Sequence, residues 1–170
     1  MGGIEAPRQA RPFSRTGGLA SGAVGSRLGS GRTVTRDWGK VLVGLPTRAT
    51  AWSVPHKAWH FDHPNTSPGV VNSINVFLLI DDVEPGGAGP AVVRNSPQLL
   101  DQLLEAGACS SSVGDQNRQF VAATEWTRRL VAGASVHPLD RTPCYLQDTL
   151  ANGVPVRVEE LSGQAGDVSV

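Results

Sequence analysis

Cysteine, excess charge of one sign and long apolar runs are all scarce in this sequence, and each shortage excludes something. Two cysteines, Cys109 and Cys144, occur in 170 residues. They cannot build a disulfide framework and show no C-x-x-C spacing, so both are expected as free thiols in a reducing compartment. Lys+Arg 15 balance Asp+Glu 15. Such a chain lacks the basic excess with which proteins coat nucleic acid or anionic membrane. The longest purely apolar run is Val76-Phe77-Leu78-Leu79-Ile80, far too short to cross a bilayer. No apolar h-region stands near Met1, so no secretory signal is read and a cytoplasmic address is expected.

Glycine and proline are what the chain has in excess. Gly 20 and Pro 12 together make about 19% of it, against an average near 12%. That favours a turn-rich β architecture over a helical bundle. The length allows one domain with a real core.

Residues 1–36 stand apart. They hold eight Gly, six Arg and a single acidic residue, Glu5. With no sustained apolar period, this arm cannot bury enough surface to offset its ordering entropy, and disorder is expected. Order is expected from Asp37-Trp38 onward, as a domain over 37–170. Lys40-Val41-Leu42-Val43-Gly44 reads as a short strand, 56–62 as an extended segment, and 70–82 as the strongest strand of the chain, rich in β-branched and apolar residues. Val83 to Pro90 reads as a Gly/Pro loop, and Ala91-Val92-Val93-Arg94 as another strand.

A helix is expected to open with Ser96 as N-cap and Pro97 at its first position. Leu99, Leu100, Leu103 and Leu104 recur at helical spacing, and Gly107 closes it. Residues 116–132 read as helical, with Phe120, Trp126 and Leu130 on the buried face. No period is legible over 134–153. Val154-Pro155-Val156-Arg157-Val158 and Asp167-Val168-Ser169-Val170 read as strands, with Gly163 and Gly166 marking the turn between them. The expected fold is mainly β with a few helices (all-β or α+β), built on a β-sandwich or jelly-roll core.

Three of the four histidines fall within eight residues, beside one aspartate: His56, His60, Asp62 and His63. On an extended segment side chains alternate, so His56, His60 and Asp62 share a face. An imidazole nitrogen and a carboxylate two residues apart can meet one metal ion. They supply two of the three ligands of a 2-His-1-carboxylate triad, whose open positions serve non-haem Fe(II) oxygenases.

The surrounding motifs carry a resemblance. Trp59-His60-Phe61-Asp62, the strand into Leu79-Ile80-Asp81-Asp82-Val83-Glu84-Pro85-Gly86-Gly87-Ala88-Gly89-Pro90, then Val92-Val93-Arg94-Asn95-Ser96 and Gly166-Asp167-Val168 together resemble the phytanoyl-CoA dioxygenase family. The match runs from about Trp38 to Val170. It implies a double-stranded β-helix (jelly-roll or cupin-like), an Fe(II) ion and 2-oxoglutarate as cosubstrate. It also implies hydroxylation by dioxygen of an unactivated C–H bond in a small molecule or acyl thioester. By matching position, His60 and Asp62 are the first two iron ligands.

Two departures stand out. Asn95-Ser96-Pro97 replaces the family's Gly-Ser-His, which costs no iron ligand. The family's distal iron-binding histidine and its 2-oxoglutarate-binding arginine follow the Gly-Asp-Val strand, and this sequence ends at Val170. It therefore reads as a C-terminally truncated dioxygenase domain. His137, before Pro138, reads as a surface loop residue.

Around the motif, Asn75 and Ser73 share one face of the long strand and could hydrogen-bond 2-oxoglutarate or face water. Trp59 and Trp52 could wall a substrate pocket or pack in the core. Arg94 could meet a substrate anion or face water. Asp81-Asp82 and Glu159-Glu160 are adjacent pairs on opposite strand faces and read as surface charge. Two alternatives remain. His56, His60, Asp62 and His63 lie near the His-x-His-x-Asp-His motif of metallo-β-lactamase-like hydrolases, although Ala58 stands where the second histidine belongs. The chain could also be a non-catalytic jelly-roll remnant with an open sheet edge near Val168–Val170.

Overall fold

The computed structural model describes residues 52–108, 112–132 and 138–169. The arm 1–36, the strand expected over 40–44, Cys109, His137 and Val170 lie outside them. Among the described residues the elements are β1 (Phe77–Leu78), β2 (Ala91–Arg94), α1 (Ser96–Glu105), α2 (Val113–Ala123), α3 (Glu125–Val131), α4 (Pro138–Leu146), β3 (Thr149–Ala151), β4 (Val154–Glu160) and β5 (Val168–Ser169). The fold mixes helices with small antiparallel sheets: β2–β4–β3 form one sheet and β1–β5 another. No helix among the described residues is long and apolar enough to cross a membrane.

β4 organises the core. Val154, Val156 and Val158 are buried and alternate with Pro155 and Arg157, the period-2 pattern of a strand with one covered face. Val158 packs with Val54, Leu130 and Tyr145, while Val154 and Val156 pack with Leu99 and Ala151. Trp126 lies against both groups and joins them.

Two long arms pair across the sequence. Phe77 faces Ser169, and the same register carries on to an isolated bridge between Val83 and Gly163. β2 then pairs with β4, Ala91 opposite Glu160. Between these pairings one arm spends many more residues than the other, and the surplus is the Gly/Pro loop 84–90. Glu160 holds that loop. Its Oε2 accepts the Gly86 N–H at 2.6 Å and its Oε1 accepts the Gly89 N–H at 3.1 Å. A Cβ on Gly89 would collide with the Leu161 carbonyl oxygen, so the loop closes against the arm only with glycine there.

Several expectations are corrected. The strand expected over 70–82 is limited to Phe77–Leu78, continued by the Val83 bridge. Val70, Val71, Val76 and Ile80 are exposed, so the apolar composition that suggested a longer strand is not spent on burial here. The extended segment over 56–62 is interrupted, because Ala58 takes a left-handed φ of 65°. The N-cap of α1 is Asn95, also left-handed, and Ser96 is already helical; the Asn95 amide instead donates to the Pro155 carbonyl at 2.7 Å. Residues 116–132 make two helices rather than one. Thr124 is extended, and its hydroxyl accepts the Thr127 N–H while the Thr127 hydroxyl accepts the Thr124 N–H. This capping box starts a new helix where a continuous one was expected. Residues 134–153 contain α4 and β3, hidden from periodicity by Pro138 and by Pro143 inside the helix. Four helices, against the two read from the sequence, lie among the described residues.

Candidate metal-binding pair

His60 and Asp62 come together on the irregular segment that follows Ala58. The left-handed turn at Ala58 aims its carbonyl at the imidazole, and His60 Nδ1 lies 2.7 Å from that oxygen. A carbonyl oxygen only accepts, so Nδ1 carries the hydrogen. In the neutral ring Nε2 is then the free electron-pair donor. Nε2 lies 3.3 Å from Asp62 Oδ1. Two acceptor atoms at that distance repel unless a proton or a cation sits between them. The other Asp62 oxygen, Oδ2, accepts a hydrogen bond from the Asn75 amide at 2.7 Å.

This geometry fits a metal ion. Adjacent ligands of an octahedral ion with bonds of about 2.1 Å stand about 3 Å apart. The tautomer offers Nε2, and an imidazole held by a backbone carbonyl through its second nitrogen is the usual form of a metal-ligating histidine. Both side chains reach solvent, at 62% and 46% exposure, so open coordination positions would be accessible. Among the described residues no group of three His, Cys, Asp or Glu side chains converges. His56 and His63 therefore do not complete a cluster around His60 and Asp62.

Helix α2 supports the segment from behind. Asn117 Oδ1 accepts the Phe61 N–H at 3.0 Å. Gln116 accepts the Asn65 N–H at 3.0 Å and donates to the Asn65 carbonyl at 2.6 Å. Phe61 meets Phe120 edge to face, with ring centroids 5.0 Å apart. Sequence reasoning missed Gln116 and Asn117. Nothing in Asp115-Gln116-Asn117 distinguishes two structural amides from solvated helix residues.

The other expected site residues are dispersed. Asn75 reaches the pair, as a donor to Asp62. Ser73 is exposed on the same segment. Trp59 donates its indole N–H to the Pro55 carbonyl at 2.9 Å and packs, with Trp52, against the Val54 core. Arg94 lies 3.8 Å from Glu159 across the β2–β4 ladder. Asp82 accepts the Ala165 N–H at 2.8 Å, which ties its segment to the turn before β5. Glu160, expected as surface charge, is instead the loop clamp described above.

Compared with known proteins, the chain matches no family model, no curated protein and no solved structure.

Proposed function

We propose that this chain carries the first two iron ligands of an Fe(II)- and 2-oxoglutarate-dependent dioxygenase. The observation that carries the proposal is the His60–Asp62 pair: Nε2 and Oδ1 stand 3.3 Å apart, with the tautomer set by the Ala58 carbonyl. The two antiparallel arms, 77–94 and 157–169, support a double-stranded β-helix as the parent architecture. The cosubstrate, and a small molecule or acyl thioester as substrate, come with the sequence resemblance. Bound iron would activate dioxygen for C–H hydroxylation while 2-oxoglutarate is oxidised to succinate and carbon dioxide. The chain's own residues hold and orient. His60 presents Nε2, Asp62 presents Oδ1, and the Asn75 amide occupies Oδ2 so that the carboxylate keeps one oxygen for the metal.

The test is twofold. In a protein that joins this chain to the expected distal histidine and arginine, Fe(II) added anaerobically with 2-oxoglutarate is expected to give a visible charge-transfer band that His60→Ala removes. Aerobic turnover by the same joined protein should give succinate and hydroxylated product in equal amounts. Zinc binding without such a band, or no succinate with any candidate substrate, refutes the proposal.

A further inference from the structure

Two ligands on an exposed, irregular segment are useful to a metal only if something fixes that segment. The segment is itself neither helix nor strand. Residues 56–65 run without a ladder of their own, and Ala58 adopts a backbone conformation that side chains other than glycine rarely take. The restraints come from elsewhere in the chain. The Asn117 carbonyl oxygen takes the N–H of Phe61, the residue between the two ligands, at 3.0 Å. Gln116, 1% exposed, locks both backbone groups of Asn65. Asn75 takes the Asp62 oxygen that does not face His60.

We propose that Asn117 and Asn75 are positioning residues for the His60–Asp62 pair, with Gln116 anchoring the segment behind them. This deepens the metal-site reading and rests on it. The chemistry is specific at each point. Phe61 lies between the ligands, and its N–H belongs to the peptide plane that joins the His60 Cα to the Phe61 Cα, so holding it restrains the backbone that links the two side chains. The Asn117 acceptor therefore acts on the His60-to-Asp62 spacing. Asn75 acts on the carboxylate itself: without its N–H, Asp62 can rotate and present either oxygen. Asn117 and Gln116 reach the segment from helix α2, far along the chain, so the geometry of the pair depends on that helix being in place, while Asn75 reaches Asp62 from the nearby segment before β1. Such outer partners of metal ligands commonly account for ten- to a hundredfold in metal affinity.

The test uses the full chain and Co(II) alone, a spectroscopic neighbour of Fe(II) in the divalent series. Wild type is expected to bind Co(II) with visible d–d bands, and His60→Ala is expected to abolish them. Asn117→Ala and Asn75→Ala should each weaken Co(II) binding about tenfold or more, with altered band positions and an unchanged far-UV circular dichroism spectrum. Asn117→Asp, which keeps an acceptor for the Phe61 N–H, should return the affinity to near wild type. Amide exchange on the metal-free protein supplies the second readout: the Phe61 N–H should be protected in wild type and released in Asn117→Ala. A released Phe61 amide with unchanged Co(II) affinity overturns the positioning role alone. Absence of Co(II) binding by wild type overturns the metal site itself, and this inference with it. Should Asn117→Ala unfold, Asn75→Ala decides, since Asn75 is an exposed residue outside the core.

Discussion

The Gln116 side-chain amide is paired twice with a single residue, accepting the Asn65 N–H at 3.0 Å and donating to the Asn65 carbonyl at 2.6 Å. Both Asn65 groups sit where the 60–65 segment crosses helix α2, and Gln116 is fully covered. Gln116→Ala leaves a partly buried donor and acceptor on Asn65 without partners and opens a cavity where the covered side chain stood. The expected cost is about 2–4 kcal/mol. Gln116→Glu keeps the acceptor for the N–H but turns a carboxylate oxygen toward the Asn65 carbonyl, so it should also destabilise. Urea denaturation of both variants checks this. Stability equal to wild type in Gln116→Ala would mean that the amide pair contributes nothing.

Glu160 gives a second prediction, about the loop that offsets the two arms. Its carboxylate accepts from Gly86 and Gly89 at 2.6 and 3.1 Å and is half-buried. Glu160→Gln replaces one acceptor by an NH2 group that confronts a backbone N–H. A loss of about 1–2 kcal/mol is expected, at the low end for a charged hydrogen bond because the group is partly solvated. Gly89→Ala drives a methyl group into the Leu161 carbonyl and should cost about 1–3 kcal/mol. The two variants combined should cost less than their sum, because both release the same loop. Thermal unfolding of the two single variants and the double variant measures the coupling.

What the sequence made legible follows from where the physical signal was local. The β4 alternation, the leucine spacing of α1 and the Gly107 stop are carried by neighbouring residues, and all three appear in the structure. The side chains of His60 and Asp62 also come within 3.3 Å, and the left-handed Ala58 adds a contact no periodicity shows, its carbonyl 2.7 Å from the imidazole. The features that escaped depend on distant partners. Asn117 and Gln116 gain their roles only because α2 lies beneath residues 61–65. The split at Thr124 is the instructive case. Thr124-Glu125-Trp126-Thr127 carries a capping box with threonine, rather than Glu or Gln, at its third helical position, so the usual signature is absent from the sequence. α4 was hidden by Pro143, which a helix tolerates when tertiary contacts, here with β4, compensate the missing N–H.

Tyr145 sets a limit at alkaline pH. Burial raises the pKa of its phenol above the usual 10, and the Arg141 guanidinium, 4.9 Å from the ring centroid, offsets part of that rise. The folded state therefore favours the neutral phenol more than the unfolded state does. The stabilisation is fully present below pH 10 and is lost as pH rises through the folded-state value, because the unfolded chain ionises first. Stability should fall above pH 10 in wild type, and Tyr145→Phe should flatten that part of the profile. Urea midpoints between pH 8 and 11.5 check the sign. A wild-type profile that is flat, or one that Tyr145→Phe leaves unchanged, contradicts it.

The exposed apolar residues around β1 make the last prediction. Val70, Val76 and Ile80 are 45%, 37% and 62% exposed on a segment that pairs over only a short length. β-branched residues beside an incompletely paired strand offer a template to other chains. Ile80 is the most exposed of these three and neighbours Leu79, which is buried and bonded to Asp167. A charge at position 80 therefore meets solvent rather than core. Ile80→Lys should reduce light scattering and concentration-dependent association, and should leave the melting temperature within about 2 °C of wild type, as befits a surface substitution. Leu79→Lys, one residue away, should lower the melting temperature severely, since it places an ammonium at a position only 8% exposed. If Ile80→Lys lowers the melting temperature as severely, position 80 is covered in the folded protein, and the apolar stripe belongs to an internal contact instead of an open edge.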